Sequence, residues 1–217
     1  MSGKQFVVIG LGRFGSSVAK TLYTLGCDVL AIDSSEELVQ NISDSVTRAV
    51  QADATDEKVL RSLGVRNFDV AIIGTGTDIQ TSLLVTLIVK ELGVKTVVAK
   101  AQNELHAKVL LKIGADRVIF PEKEAGVKLA YSLISSNILD FIELSPEYNI
   151  VEIIAIRDWI GKSLNELKLR QRFGLNIIAI KRGNNIKITP SADDIIMEGD
   201  NLVVIASTDD INKLNHN

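Results

Sequence analysis

The sequence predicts a doubly wound α/β sheet of parallel strands over its first ~120 residues, followed by a smaller α+β module. Three observations carry this expectation. Short Val- and Ile-rich runs alternate with stretches of helical spacing. A G-x-G-x-x-G segment stands between the first run and the first helix. After Pro121 the alternation stops, and short strands separated by Gly- and Asn-containing turns replace it.

Taken in order, the buried strands are Phe6–Ile9, Val29–Ile32, Ala49–Ala52, Val70–Ile73, Thr96–Ala99 and Val118–Phe120. Continuous apolar runs of this length suit parallel strands covered on both faces. Between them, Val18, Leu22 and Leu25 share one helical face, as do Leu38 with Ile42, Leu60 with Leu63, and Val109 and Leu110 with Ile113. The helix from Ile79 to Leu92 is apolar on more than one stripe. Leu83, Leu84, Leu87 and Ile88 are expected to face the sheet, leaving Val85 and Val89 beside Ser82 and Thr86. A crowded core and a contact between copies both account for such a helix.

Residues 122–144 read as one long or broken helix, a crossover between domains. Val127, Ala130, Leu133 and Ile134 recur at helical spacing, then Ile138, Leu139, Phe141 and Ile142, with Ser135-Ser136-Asn137 as the break. Ser145-Pro146-Glu147 punctuates the next boundary. Strands are expected at Ile150–Ile156, Asn176–Ile180, Ile186–Ile188 and Leu202–Ile205, with Gly183-Asn184-Asn185 and Gly199-Asp200 as turns. Ser163 and Glu166 have capping-box spacing for a short helix to Leu169, and Asp209–Leu214 closes the chain as a helical turn. The organisation is therefore 1–121, a nucleotide-binding domain; 122–144, a crossover linker; and 145–217, a small regulatory module.

Composition narrows the function. Apolar residues at 46% allow a sizeable core, and a net charge of −3 offers no polycationic surface for nucleic acid. One cysteine, Cys27, excludes a disulfide framework and fits a reducing, cytoplasmic compartment. No apolar run approaches the ~20 residues of a membrane span, so a role at the membrane runs through a partner. The start of the chain carries no apolar leader.

Gly10-Leu11-Gly12-Arg13-Phe14-Gly15 follows a strand, opens a helix, and is followed by Asp33 at the end of the second strand. That context makes it the dinucleotide-binding fingerprint of a Rossmann-type sheet. Gly10 permits the tight turn, Gly12 lets backbone approach phosphate, and Gly15 lets the helix pack on the strand. The helix N-terminus offers N–H groups to phosphate, and Asp33 accepts from ribose hydroxyls while repelling a 2′-phosphate, which disfavours NADP. Arg13 is placed to reach a phosphate of its own or a neighbouring ligand. Asp53-Ala54-Thr55 and Gly74-Thr75-Gly76 lie at the ends of the third and fourth strands, where open α/β sheets bind ligands.

Other chemistry is not supported. Gly161-Lys162-Ser163 resembles the tail of a Walker A loop, but the glycine that loop requires is replaced by Ile156. There is no Cys/His cluster for zinc. His106 is expected at the surface, and His216 in a frayed tail. With no usable acid or base beside a substrate pocket, the residues argue for binding a nucleotide rather than transforming it. The alternatives are a small NAD(H)-dependent oxidoreductase and a redox-sensing Rossmann protein.

The glycine loop and Asp33, with Lys100-Ala101-Gln102-Asn103, Ile113-Gly114-Ala115-Asp116 and Pro121-Glu122-Lys123, resemble the RCK (KTN) regulatory subunits of Ktr and Trk potassium uptake systems, closest to the KtrA type. The resemblance covers nearly the whole chain. It implies a non-enzymatic gating subunit that binds ATP and ADP, or NAD(H) in some members. It implies a homodimer, assembled into an octameric ring on the cytosolic face of a membrane potassium-translocating subunit of the KtrB kind. On the matching positions, Gly10, Gly12 and Gly15 cradle phosphates and Asp33 holds ribose. Asp53 and Ala54 border adenine, and Lys100 lies near the site. Arg13 reaches the ATP of a partner subunit, and Glu122 helps hold a divalent cation such as Mg²⁺. Read from the residues alone, Glu122 is equally a helix-start carboxylate after Pro121. The resemblance also implies cyclic di-AMP binding at Leu169, Arg170, Asn176, Ile177 and Pro190, with Lys168 standing where the family pattern has an acidic residue.

Overall fold

Six of the Val/Ile-rich runs pair side by side in parallel, as two-sided burial requires. They are β1 (Gln5–Ile9), β2 (Asp28–Asp33), β3 (Arg48–Gln51), β4 (Val70–Ile73), β5 (Thr96–Lys100) and β6 (Arg117–Ile119), in the order β3-β2-β1-β4-β5-β6. The chain reverses its direction of growth between β1 and β4, so the crevice outside their carboxyl ends is the topological switch point. This computed structural model describes residues 3–75, 78–134, 138–145 and 147–214. The chain divides into two units, Met1–Pro121 and Glu122–Asn217.

The helices of the first unit are α1 (Arg13–Thr24), α2 (Glu36–Gln40), α3 (Glu57–Ser62), α4 (Ile79–Glu91) and α5 (Glu104–Lys112). Strand side chains alternate between two cores. Val7 and Ile9 join Leu60, Val85 and Leu110 on one face, and Val8 joins Leu11, Ala19 and Ile42 on the other. Leu25 does not share the buried face of Val18 and Leu22; it is the C-cap of α1 and is 72% exposed.

The buried stripe of α4 also differs from expectation. Ser82, Val85, Thr86 and Val89 are fully buried, while Leu84 and Leu87 are exposed. The hydroxyl of Thr86 donates to the Ser82 carbonyl, which hides its polarity within the helix, whereas the Ser82 hydroxyl is buried without a partner.

In the second unit, α6 (Pro121–Ile134) is followed by β7 (Ile138–Glu143), not by more helix. The remaining elements are β8 (Tyr148–Ile154), α7 (Leu164–Leu167), α8 (Leu169–Phe173), β9 (Asn176–Arg182), β10 (Asn185–Ile188), β11 (Asp200–Ser207) and α9 (Thr208–Leu214). The strands form an antiparallel sheet in the order β10-β9-β11-β8-β7. The register of β7 against β8 shifts between Ile138 and Asp140, which lets both Ile138 and Phe141 reach the core despite their odd spacing. That bulge is why the segment mimics helical periodicity in the sequence. The core gathers Val151, Ile153, Leu202 and Val204 with Trp159, Leu167 and Leu175. Arg182 holds the fully buried Asp200 through two hydrogen bonds of 2.7 and 2.8 Å. The capping box forms as the spacing predicts, Ser163 and Glu166 each bonding the other's backbone N–H. Expectations for Ser135-Ser136-Asn137, Pro146, Gly76 and His216 fall outside the described residues.

Candidate functional site

The carboxyl end of the parallel sheet collects most of the residues singled out by sequence. Gly10 turns the chain out of β1 at φ 92°, a conformation reserved for glycine. Its surroundings are tighter still. A β-carbon on Gly10 would lie 2.7 Å from the Thr75 nitrogen. One on Gly15 would lie 1.8 Å from the Gly10 carbonyl oxygen, and one on Gly74 would lie 2.8 Å from that same oxygen. These three glycines close-pack β1, α1 and β4 against one another.

Gly12 is different: a β-carbon there would meet nothing within 4 Å. Its φ of −60° is open to any residue. No internal contact requires glycine here, whereas a phosphate approaching the backbone would. The N-terminus of α1 fits the same reading. Ser35, Asp56, Asp78 and Asn103 cap α2, α3, α4 and α5 with side-chain oxygens. The N-cap of α1 is Gly12, with no side-chain cap and no acidic residue in the first turn. No side chain takes up its first N–H groups, a geometry that suits an anion. Arg13 is exposed beside them, and Phe14 packs into the core under the helix.

Asp33 is half-buried and ties the two adjoining loops together. It accepts from the Leu11 N–H at 2.6 Å and from the Ser35 N–H at 2.8 Å. Each oxygen keeps a lone pair for a ribose hydroxyl. Asp53, exposed beyond β3, accepts from the Thr55 hydroxyl and N–H at 2.7 and 2.9 Å. The hydroxyl bond first, then the backbone bond, holds its carboxyl below the usual range. Ala54 packs against the core, Thr75 lies over Gly10 with its hydroxyl buried and unpartnered, and Lys100 ends β5. Glu122 lies in the first turn of α6, in the second unit. Among the described residues, no three His, Cys, Asp or Glu side chains stand together as a metal site.

His106 corrects the surface expectation. It is 2% exposed in the first turn of α5, its Nδ1 accepting weakly from the Gln102 N–H at 3.3 Å. Burial lowers its pKa, so the imidazole is neutral, and its Nε2 finds no partner.

In the second unit, a cavity of about 500 Å³ brings together Lys168, Leu169, Arg170, Asn176, Ile177 and Pro190, all six positions singled out there. It also takes in Asn165, Gln171 and Ala192, which sequence reasoning missed. Ala192 arrives from the segment after β10, where its carbonyl accepts from the Asn165 N–H at 2.8 Å. Two strained residues mark this site. Lys168 (φ 48°) and Thr189 (φ 53°) are the positive-φ residues other than glycine among the described residues. Lys168 lines the cavity and Thr189 precedes Pro190, which also lines it. A left-handed conformation costs such residues about 1–2 kcal/mol, and strain of this kind clusters at functional sites.

Among the described residues, no helix is long and apolar enough to cross a membrane. Residues 6–121 match the TrkA-N domain family, and residues 150–217 match the TrkA-C domain family. The chain is 47% identical to the Ktr system potassium uptake protein C of Bacillus subtilis, over 97% of its own length and 95% of the relative's. It is 48% identical to the Ktr system potassium uptake protein A of the same organism, over 98% and 96%. The GsuK RCK domain shares the fold at a TM-score of 0.66 and 19% identity, over 99% of this chain and 47% of that one. Its Rossmann-type sheet, its separate antiparallel module and these full-length likenesses together place the chain in the RCK family of potassium uptake subunits, among the KtrA-like members.

Proposed function

We propose that this chain is a cytosolic gating subunit of a Ktr-type potassium transporter, controlled by ATP and ADP in its Rossmann domain and by cyclic di-AMP in its C-terminal cavity. The observation that carries the nucleotide reading is the contrast among the glycines. Gly10, Gly15 and Gly74 are required by packing, while Gly12 fronts open space above an uncapped helix. Asp33 takes the ribose, which favours ATP, ADP or NAD(H) over NADP. Asp53, Ala54 and Thr55 border the base, and Lys100 adds charge near the phosphates.

Discrimination between ATP and ADP needs a group that senses the terminal phosphate. Arg13, exposed beside the loop, serves a neighbouring copy, and Glu122 contributes to a divalent cation such as Mg²⁺ with ligands from the phosphates and a second copy. Assembly as a homodimer and then an octameric ring uses apolar side chains that a lone copy leaves exposed: Leu84 and Leu87 on α4, Leu105 and Leu111 on α5, and Leu129 and Leu133 on α6. The ring docks on a membrane potassium-translocating subunit. Moving a two-state ring from mostly closed to mostly open takes about 5.5 kcal/mol of differential binding, a modest share for each of several sites.

Calorimetry with ATP, ADP, NADH and cyclic di-AMP, with and without Mg²⁺, tests the reading. ATP and ADP competing at one site, with cyclic di-AMP at another, is the expected result. NADH binding alone refutes ATP gating and restores the redox alternatives.

A further inference from the structure

Three carboxamides line the C-terminal cavity, from Asn165, Gln171 and Asn176, and no carboxylate does. Elsewhere in this unit asparagine side chains hold the fold together: Asn149 donates to the Thr208 hydroxyl at 3.0 Å, and Asn201 to the Glu152 carboxylate at 2.8 Å. Among the described residues, the Asn165 carboxamide has no such partner. Its backbone, by contrast, is pinned. Asn165 stands in the first turn of α7, behind the Ser163 cap, and its N–H donates to the Ala192 carbonyl at 2.8 Å. The neighbouring Leu164 N–H donates to the Asp194 carbonyl at 3.0 Å. A short side chain on a fixed backbone thus stands beside the apolar part of the lining, next to Leu164 in the chain and bonded to Ala192, two residues after Pro190. Gln171 is placed differently. It directly follows Arg170 in α8, beside the cations of the cavity, and its side chain is longer.

A base is read by stacking on apolar side chains and by hydrogen bonds along its edge. The edge of adenine needs an acceptor for its amino group beside a donor for a ring nitrogen, and a single carboxamide supplies both. The Watson–Crick edge of guanine instead carries an N–H and an amino group side by side. These need two adjacent acceptors, the fork of a carboxylate, which this cavity lacks. We propose that Asn165 reads the edge of one base of the cyclic dinucleotide and so selects adenine over guanine. Lys168 and Arg170 then meet the phosphates, and Leu164, Ile177 and Pro190 meet the face of the base. The proposal rests on the cavity being a cyclic dinucleotide site, as read above.

The test is calorimetric titration of the full chain with cyclic di-AMP and with cyclic di-GMP, the weaker ligand read by displacement. Wild type, Asn165→Ala, Asn165→Asp and Gln171→Ala are compared after thermal melts establish that each is folded. The readout is the ratio of the two affinities, which a change in folding or in general charge attraction does not move. Wild type should favour cyclic di-AMP by at least about tenfold. Asn165→Ala should weaken cyclic di-AMP about fivefold or more while changing cyclic di-GMP less than about twofold. Asn165→Asp removes the donor and supplies a carboxylate fork, so it should lower the ratio further even as its charge weakens both ligands. Gln171→Ala should leave the ratio within about twofold of wild type. Equal wild-type affinities, an unchanged ratio in both Asn165 variants, or a ratio that moves only in Gln171→Ala overturns the proposal and leaves the dinucleotide reading standing. Binding of neither ligand by wild type removes both.

Discussion

Alanine at Gly12 and alanine at Gly15 should fail in opposite ways, although the two positions lie in one loop. At Gly12 the new methyl group meets nothing within 4 Å, and φ is −60°. Alanine is a poorer N-cap than glycine by something under ~1 kcal/mol, and it recovers about 0.4–1 kcal/mol by restricting the unfolded chain. Stability should therefore stay within about 1 kcal/mol of wild type. The same methyl occupies the space a phosphate needs. Losing even one charge-assisted hydrogen bond, worth about 1.5–3 kcal/mol, weakens ATP roughly 10- to 150-fold. At Gly15 the methyl would sit 1.8 Å from the Gly10 oxygen and 3.0 Å from its carbon, both backbone atoms that cannot rotate away. Overpacking of this severity costs at least ~3 kcal/mol, a fall in Tm of roughly 10 °C or more for a unit of this size. Thermal melts and ATP calorimetry on both variants decide the matter. A Gly12→Ala protein that binds ATP like wild type, or a Gly15→Ala protein that melts like wild type, refutes the assignment of these two roles.

Three further outcomes follow from the same physics. Arg170→Ala should weaken cyclic di-AMP about tenfold or more, with Tm unchanged, because the side chain lines the cavity with no protein partner among the described residues; calorimetry paired with a melt reads both. The Arg182 hydrogen bonds, foremost, hold the Asp200 carboxyl below its ordinary pKa of 3.8. Its stability contribution is present above that value and lost as pH falls through the depressed one, so Asp200→Asn should flatten the acid limb of a urea-denaturation profile. For His106, whose buried base sits below its ordinary pKa of 6.5, the unfolded chain takes up the proton first. Stability is full above about pH 6.5 and falls as pH drops below it, and His106→Leu should remove that slope between pH 7 and pH 5.

Much of the parallel sheet was legible because the strands are short, largely apolar runs, most of them ended by Gly, Asp or Pro, and the observed strands agree with those runs to within a residue or so. The glycine loop was legible for a related reason, since its steric demands fall on fixed positions. Sequence failed where tertiary context decides. In α4, the hydroxyls of Ser82 and Thr86 are hidden while Leu84 and Leu87 face outward; Thr86 satisfies itself on its own helix, and Ser82 is buried unpartnered. At Ile138–Glu143, a bulge places Ile138 and Phe141 on one side of a strand, which reads as helical spacing. Asn165 and Gln171 carry no local signal of a site. They join it because a bridge between Ser163 and Ile195, and bonds along that stretch, fold the segment after β10 against α7.

The mutual wedging of Gly10, Gly15 and Gly74 has a consequence for anyone redesigning this chain. At these three positions the glycine loop is backbone locked by backbone, with the Asp33 carboxylate tied in through the Leu11 N–H. Asp33 and Asp53 hang from separate strand ends: Asp33 holds the Leu11 N–H of the loop, whereas Asp53 bonds Thr55 beyond β3. Asp53 can therefore be varied without disturbing the loop, while Asp33 stays with the three wedged glycines as part of a fixed chassis.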